Sequence, residues 1–275
     1  MTFYAPGRSY AEVIGDPISH SKSPLIHGFW LHALDLDADY RAARVAPADL
    51  AAYFASRRAD PDWRGCNVTV PHKLAALDHV EDRGDIRTTI GAINLAMRAE
   101  DGALIGANTD AGGFYAPIAG FDFAGKPVVV IGAGGAARAV LFALAKMAVG
   151  PVTVLNRTPL KGAALLSTFG LKGRALPLTA PLPPAALLVN ASLLGMTGQP
   201  PLEIDLTPLP EEAVVYDLVY APLETDLLVQ ANDRGLETVD GLEMLVAQAA
   251  LAFELLFGVE PPRERDDELR ELLTA

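Results

Sequence analysis

The 275-residue sequence predicts an α/β fold with mostly parallel sheets. Short apolar runs typical of β-strands alternate along the chain with longer runs of helical spacing, which is the pattern of βαβ units. From Lys126 onwards the strand runs are continuously apolar, as in residues 128–131, and parallel strands covered on both faces have that character. Earlier strands carry polar residues at every second position, so the sequence divides into two blocks.

The predicted elements follow in chain order. Strands are expected at residues 12–14, 40–45, 66–70, 128–131, 152–155, 187–190 and 214–218. Helices are expected between most of them, and the proline-rich residues 176–184 predict a loop. Residues 241–258 have helical spacing and either close the second block or return to the first. Residues 263–275 predict a charged amphipathic helix with its charges in solvent.

Composition excludes several classes of protein. With 22 basic against 34 acidic residues, the net charge of −12 opposes broad binding to nucleic acid or anionic membranes. A 51% hydrophobic chain can bury a core. No apolar stretch reaches the length of a membrane-spanning helix, and the first residues lack the pattern of a signal peptide. With one cysteine, Cys66, the chain is expected to be cytoplasmic.

A glycine-rich loop indicates where a dinucleotide binds. A predicted strand, the loop residues 132–137 and a helical run follow one another, which is the order of a dinucleotide-binding βαβ unit. The first glycine permits a tight turn, the second lets the backbone approach a pyrophosphate, and the small Ala137 permits close helix–sheet packing. The alternative is a tight turn without a ligand.

The end of the next strand favours NADP over NAD. It carries Asn156, Arg157 and Thr158, where an acidic residue would bind the ribose 2′-hydroxyl of NAD. Arginine can hold a 2′-phosphate in a planar, charge-assisted geometry. In the alternative interpretation, Thr158 is an N-cap ahead of Pro159 and Arg157 faces solvent.

Polar side chains in the first block mark a second candidate site, in residues 21–24, 67–73 and 108–110. Asn67 and Thr69 lie two apart on a predicted strand and therefore share a face. Pro71 suits a first helical turn, which would place Lys73 at the positive end of a helix dipole, where its pKa falls. Asp110 is the candidate carboxylate partner. In the alternative, Lys73 is an ordinary exposed lysine and Asp110 an N-cap.

Two serines and the histidines complete the candidates. Ser23 precedes Pro24 and suits an N-cap, whereas Ser21 has no such structural role. The five histidines and Cys66 lack paired metal-ligand spacings, so no metal site is expected.

These motifs resemble one family, the shikimate dehydrogenases of aromatic amino-acid biosynthesis. The matching segments are residues 15–24, 67–73 (NVTVPHK), 91–94, 108–110, 132–137, 156–158, 190–192, 216–220 and 240–248. The resemblance implies a discontinuous N-terminal substrate-binding α/β domain, residues 1–110 and 241–275, and an inserted Rossmann NADP-binding domain, residues 111–240. The helix at 241–258 would then return to the first block.

The resemblance also implies roles for individual residues. Ser21 and Ser23 are similar to the pair that holds the substrate carboxylate, and Lys73 and Asp110 to the catalytic pair. The other substrate positions are Thr69, Asn94 and Gln248 at the hydroxyls, Asn67 in the pocket wall and Tyr220 beside the ring. The cofactor positions are Gly132, Ala133, Gly134, Gly135 and Ala136 at the pyrophosphate, Asn156, Arg157, Thr158 and Lys161 at the 2′-phosphate, Leu218 and Gly241 at the nicotinamide, and Asp85.

Three positions depart from the family pattern. Gly28 and Leu95 stand where Asn and Thr are usual, and both bear on support of the pocket. Lys161 replaces a common arginine, which is expected to weaken a preference for NADP without reversing it, because lysine lacks the planar guanidinium.

The resemblance implies reversible NADPH-dependent reduction of 3-dehydroshikimate to shikimate. The alternatives are a quinate/shikimate dehydrogenase that uses NAD, and a non-catalytic NADP-sensing protein on the same scaffold. Small molecules are the expected partners, without nucleic acid or membrane, and the chain is expected to be a monomer or homodimer.

Overall fold

The chain forms two compact units in the computed structural model, which describes residues 8–275. The first unit contains the described residues before Asp110 together with Gln248–Ala275, and the second is Asp110–Ala247. The return to the first unit therefore falls at Gln248, inside a long helix, rather than at Gly241. The assignment of substrate to the first unit and of cofactor to the second stays a prediction.

The first unit is built on a five-stranded mixed sheet. Its elements are β1 (Ser9–Gly15), α1 (Ser23–Ala33), β2 (Ala38–Arg44), α2 (Leu50–Arg58), β3 (Trp63–Val68), α3 (Ile86–Thr89), β4 (Leu95–Arg98) and β5 (Leu104–Ala107). The strand order is β2-β1-β3-β4-β5, with the first three strands parallel and β4 and β5 antiparallel to their neighbours. The sequence did not predict β4 and β5.

The second unit is a parallel sheet with a Rossmann strand order. Its elements are α4 (Asp110–Tyr115), β6 (Val128–Ile131), α5 (Gly135–Lys146), β7 (Val152–Asn156), α6 (Pro159–Thr168), β8 (Gly173–Pro177), β9 (Leu187–Asn190), β10 (Val214–Asp217), α7 (Asp226–Asp233) and β11 (Glu237–Val239). Six parallel strands in the order β8-β7-β6-β9-β10-β11 repeat the 3-2-1-4-5-6 arrangement of dinucleotide-binding folds.

The burial pattern of β6 explains its continuous apolar run. Val128 and Val130 are buried in one core cluster, and Val129 and Ile131 in the cluster on the other face of the sheet. Because both faces are covered, alternation would leave polar groups without water, and every position of the strand is apolar.

Two helices follow the second unit's last strand. α8 (Gly241–Phe257) contributes its residues from Gln248 onwards to the first unit, and α9 (Asp266–Thr274) packs there on α1. α9 buries Leu269 and Leu273, while its charged residues are exposed or half-buried, which agrees with the predicted amphipathic helix. Within residues 8–275 there is no helix with the length and apolar character needed to cross a membrane.

Two local predictions are wrong. Ser23 is the first residue of α1, and the N-cap position belongs to Lys22, which makes no side-chain capping bond. The predicted strand 66–70 ends at Val68, and the next helix is a short 3₁₀ turn at Ala75–His79. Lys73 thus lies in a loop between them and not at the N-terminus of an α-helix.

Candidate active site

Three buried polar side chains of the first unit form a hydrogen-bonded cluster. The Asn94 amide nitrogen donates to Thr109 Oγ1 at 2.8 Å and to Gln248 Oε1 at 3.1 Å, and Asn94 Oδ1 accepts from the Thr109 backbone N–H at 2.7 Å. All three residues are at least nine-tenths buried. Buried amides and hydroxyls require hydrogen-bond partners, and these three side chains supply them to one another. Their positions are therefore fixed by the fold. The cluster brings together two predicted substrate residues, Asn94 and Gln248.

The loop after β3 carries Thr69 and Lys73 and is held at several points. The Thr69 N–H donates to the Ile14 carbonyl at 3.0 Å, and His72 Nε2 lies 2.7 Å from the Val45 carbonyl. Since a carbonyl only accepts, Nε2 carries the proton. The Lys73 carbonyl accepts from the Ile93 N–H at 2.8 Å. These bonds fix the backbone of half-buried Lys73 without a helix dipole.

The two serines lie at the start of α1. The Ser23 N–H lies 3.3 Å from Ser21 Oγ, and Ser23 is buried whereas Ser21 is half-buried. Lys22, between them, donates its ammonium to the Leu273 carbonyl at the end of α9. The only cation within this short segment is therefore engaged with a helix C-terminus, which leaves the serine hydroxyls as its candidate ligands for an anion.

Asp110 is a buried carboxylate at the first residue of α4. It belongs to the second unit and Lys73 to the first, so their pairing stays a prediction.

The glycine-rich loop lies where the sheet order of the second unit reverses, between β6 and β9. Gly132 has φ +107°, and a Cβ there would lie 2.9 Å from the Ala191 carbonyl oxygen, so only glycine fits. Gly134 is exposed with open space around its Cβ position, and α5 begins at Gly135. Ala137 is fully buried against the sheet, as the motif predicts. This geometry leaves exposed backbone and a helix N-terminus that suit a pyrophosphate.

The segment after β7 presents its cationic side chains to solvent. Arg157, Thr158 and Lys161 are exposed, and Asn156 Nδ2 donates to the Thr158 carbonyl at 2.9 Å. Thr158 holds the N-cap position of α6, with Pro159 in the first turn, but its side chain makes no capping bond. The alternative interpretation is right about the position of Thr158, while its hydroxyl is not used as a cap.

A buried carboxylate joins the loops that follow β9 and β10. Asp217 accepts hydrogen bonds from Asn190 Nδ2 at 2.9 Å, the Val219 N–H at 3.0 Å and Thr225 Oγ1 at 2.7 Å. Burial raises the pKa of this carboxyl, and the three bonds oppose that shift. The loop it anchors carries Leu218 and Tyr220, and burial likewise raises the Tyr220 pKa.

Leu218 and Gly241, two predicted nicotinamide residues, lie together. A Cβ on Gly241 would lie 2.5 Å from the carbonyl oxygens of both Leu218 and Val219, so α8 can begin here only with glycine. Asp240 Oδ1 caps the helix by accepting from the Leu242 N–H at 2.9 Å.

Asp85 belongs to the first unit and is exposed, with φ +52°. Its carbonyl accepts bonds from Thr88 and Thr89, while the carboxylate of Asp82 accepts the Ile86 and Arg87 N–H groups at the start of α3. The role of Asp85 at the cofactor stays a prediction. Among residues 8–275, no group of three or more His, Cys, Asp and Glu residues could hold a metal ion.

Comparison with known proteins identifies the family. The shikimate dehydrogenase (NADP(+)) of Sphingopyxis alaskensis is 66% identical over 266 residues, which cover 97% of each chain. The chain belongs to the shikimate dehydrogenase family. Three family models match parts of it: the shikimate dehydrogenase substrate binding domain at residues 13–96, shikimate / quinate 5-dehydrogenase at 116–181 and the shikimate 5'-dehydrogenase C-terminal domain at 241–266.

Solved structures of similar shikimate and quinate dehydrogenases share the whole fold. The shikimate 5-dehydrogenase of Thermus thermophilus, in complex with NADP(H) and shikimate, is 39% identical with a TM-score of 0.85 and covers 96% of this chain and 99% of its own. The quinate dehydrogenase of Corynebacterium glutamicum, in complex with NAD, is 28% identical with the same TM-score and covers 96% and 99%. Among these similar proteins, the fold is therefore seen with NADP(H) and shikimate in one case and with NAD in the other.

The sequence did not assign roles to two residues that bond to predicted substrate residues in this shikimate dehydrogenase family member. Thr109 lies in the 108–110 motif but was not assigned a role, although it bonds to both Asn94 and Gln248. Tyr40 bonds to Asn67 and stands in an otherwise ordinary strand pattern. For Thr109 the signal was a polar residue adjoining Asp110; for Tyr40 the sequence carries none.

Proposed function

We propose that the protein catalyses the reversible NADPH-dependent reduction of 3-dehydroshikimate to shikimate, a step in aromatic amino-acid biosynthesis. The observation that carries the proposal is the 66% identity to a shikimate dehydrogenase (NADP(+)) along nearly the whole chain. The two residues matched to the catalytic pair, Lys73 and Asp110, are present. The first unit also holds a hydrogen-bonded cluster of amide and hydroxyl groups that suits a polyhydroxylated ring.

The substrate carboxylate is assigned to Ser21 and Ser23. Because Lys22 bonds to the end of α9, recognition there uses neutral hydroxyl donors. Thr69, Asn94 and Gln248 bind the ring hydroxyls, Asn67 lines the same pocket and Tyr220 lies beside the ring. In this arrangement the side-chain amides of Asn67, Asn94 and Gln248 form further hydrogen bonds with oxygen atoms of the substrate.

Lys73 and Asp110 act on the reacting oxygen. When bound, NADPH supplies a hydride to the ring ketone. The Lys73 ammonium stabilises the developing alkoxide and is its proposed proton donor. Asp110 orients Lys73 and accepts a hydrogen bond from a neighbouring ring hydroxyl. In the reverse direction the hydroxyl proton leaves by the same route.

The second unit binds the cofactor. Gly132–Ala136 hold the pyrophosphate through exposed backbone at the start of α5, and Arg157 holds the 2′-phosphate with help from Asn156, Thr158 and Lys161. Leu218 and Gly241 adjoin the nicotinamide. With a net charge of −12, attraction of two anionic ligands depends on these local donors and not on the overall field.

Steady-state kinetics with four pairs of substrates test the proposal. NADP⁺ and NAD⁺ are each assayed with shikimate and quinate, and kcat/KM is compared. We expect NADP⁺ with shikimate to give the highest value. A higher value for quinate with NAD⁺ would assign the protein to quinate dehydrogenases, and no turnover with any pair would favour an NADP-sensing protein. We further propose that the protein acts in the cytoplasm as a monomer or homodimer.

A further inference from the structure

The side-chain amide of Asn67 is held at both ends. Tyr40 Oη lies 2.6 Å from Asn67 Oδ1, and Asn67 Nδ2 donates to the Asn94 backbone carbonyl at 3.4 Å. A backbone carbonyl can only accept, so the NH₂ end of the amide must face Asn94. Oδ1 then faces Tyr40, and the tyrosine hydroxyl must donate. The two contacts together fix which way the amide points.

Strand register explains how Tyr40 reaches Asn67. In the order β2-β1-β3, Tyr40 pairs with Ala11 of β1, and Asn67 pairs with Val13 of the same strand. Ala11 and Val13 are two residues apart and lie on one face of the sheet, so Tyr40 and Asn67 share that face. They lie two strand spacings apart, roughly 10 Å across the sheet, and are offset by two residues along it, a distance that a long tyrosine side chain and an asparagine can bridge.

An aromatic stack holds the Tyr40 ring in place. His27 of α1 stacks on it with centroids 4.0 Å apart and planes at 3°. Trp30 and Phe253 contact the other sides of His27 at 5.7 and 5.8 Å. His27 is fully buried, and burial lowers its pKa to about 3, so the imidazole is neutral. The ring therefore packs as a flat apolar spacer, and Tyr40 cannot rotate away from Asn67 without opening this stack.

We propose that Tyr40 is a positioning residue that fixes Asn67 as a hydrogen-bond donor toward the substrate. The inference rests on the proposed function, because it deepens the role of Asn67 in the shikimate pocket. With Oδ1 committed to Tyr40 and one amide hydrogen to Asn94, the second amide hydrogen of Asn67 is directed to a ligand oxygen. Without the hydroxyl, Oδ1 loses its buried donor and the amide loses its fixed direction.

Tyr40→Phe tests the proposal, with Tyr53→Phe as its matched control. Tyr53 also donates a buried hydroxyl bond to a side-chain oxygen, Glu12 Oε2 at 2.8 Å. Glu12 alternates with Ala11 and Val13 on β1, so this bond lies on the opposite face of the sheet. We expect Tyr40→Phe to raise the shikimate KM about tenfold while the NADP⁺ KM stays unchanged. Tyr53→Phe should lower the melting temperature similarly without changing either KM.

A second comparison asks whether Tyr40 acts through Asn67. In an Asn67→Ala background, Tyr40→Phe should add no further increase in the shikimate KM. Three results would each overturn the proposal. The shikimate KM could stay unchanged in Tyr40→Phe, the KM values for shikimate and NADP⁺ could change equally, or the effects of Tyr40→Phe and Asn67→Ala could be fully additive.

A readout without turnover separates this inference from the proposed function. The side-chain amide NMR signal of Asn67, assigned by its loss in Asn67→Ala, should shift and exchange its hydrogens faster in Tyr40→Phe but not in Tyr53→Phe. An unaltered signal overturns the positioning role whatever the substrate. An altered signal in a protein that does not oxidise shikimate would instead place the failure in the proposed function.

Discussion

Arg57 holds the carboxylate of Glu12 through both of its oxygens. Arg57 Nε lies 2.7 Å from Oε2 and Nη2 lies 3.0 Å from Oε1, while Tyr53 adds a third donor. Glu12 is in β1 with 2% of its surface exposed, so the guanidinium supplies the charge that compensates its burial.

Arg57→Ala is expected to lower the free energy of unfolding by about 3 kcal/mol, because it leaves a buried carboxylate unpaired. Chemical denaturation measures the change. Arg265→Ala is the control: Arg265 forms an equally forked pair with Glu268, but both are exposed, and the expected loss is under about 1 kcal/mol. Equal losses for the two variants would contradict this account.

Lys73→Ala is expected to reduce kcat for shikimate oxidation by about 10²–10⁴-fold, because it removes the proposed proton donor and acceptor. Shikimate binding, measured by calorimetry, should be largely retained. Lys172→Ala, an exposed lysine of the second unit, is the control and should leave kcat unaffected. Near-normal turnover in Lys73→Ala would refute the assignment.

Arg157→Ala is expected to raise the KM for NADP⁺ by at least about tenfold and to leave the KM for NAD⁺ unchanged, since only NADP⁺ carries the 2′-phosphate. Arg174→Ala, on an exposed position of β8, controls for the loss of one positive charge. If both cofactors were affected equally, Arg157 would not be a 2′-phosphate ligand.

Asp217→Asn is expected to change how stability depends on pH. Burial raises the Asp217 pKa in the folded protein, so the native state binds this proton more tightly than the unfolded chain does. The contribution of Asp217 to the free energy of unfolding is then largest below the pKa of an aspartate in the unfolded chain, about 4. It is lost as the pH rises through the raised pKa of Asp217 in the folded protein.

The measurement is the unfolding free energy of the wild type minus that of Asp217→Asn, followed from about pH 4 to about pH 7. Other titrating groups cancel in this difference, which should fall with rising pH and then level off. A difference that rises with pH would mean that the three hydrogen bonds outweigh burial.

Gly28→Ala is expected to stabilise the protein by about 0.5–1 kcal/mol. Gly28 lies within α1, and a Cβ there would meet nothing within 4 Å, so alanine removes the cost of glycine in a helix. Gly162→Ala in α6 is the opposite case, because its Cβ would lie 2.8 Å from Val154 Cγ1. Thermal unfolding should separate the two variants by sign; a shift in the same direction would contradict the packing argument.

Sequence reasoning predicted the second unit better than the first. The expected strands at 128–131 and 187–190 coincide with β6 and β9, because a strand buried on both faces is apolar at every position. The antiparallel β4 and β5 were missed, since each has four residues and β5 contains Gly106, which gives no clear period. Short antiparallel strands depend on their neighbours more than on their own pattern.

The candidate site shows the same limit. Pro71 predicted a helix start near Lys73, whereas the His72 and Ile93 bonds set the loop conformation. These partners are distant in sequence, and local propensity carries no information about them. Gln248 entered the site only by resemblance, because 154 positions separate it from Asn94.

Because Asn94 and Gln248 lie 154 positions apart, the first unit cannot be completed until the ribosome has translated almost the whole chain. During synthesis the second unit is a continuous stretch and is complete when Ala247 has emerged, whereas the first unit still lacks Gln248 and Phe253. Until α8 arrives, Asn94 and Thr109 have no partner on Gln248, and His27 has no cover from Phe253. We therefore expect the first unit, although its N-terminal part is translated first, to finish folding after the second unit. Until then, part of its apolar core remains exposed to solvent on the nascent chain.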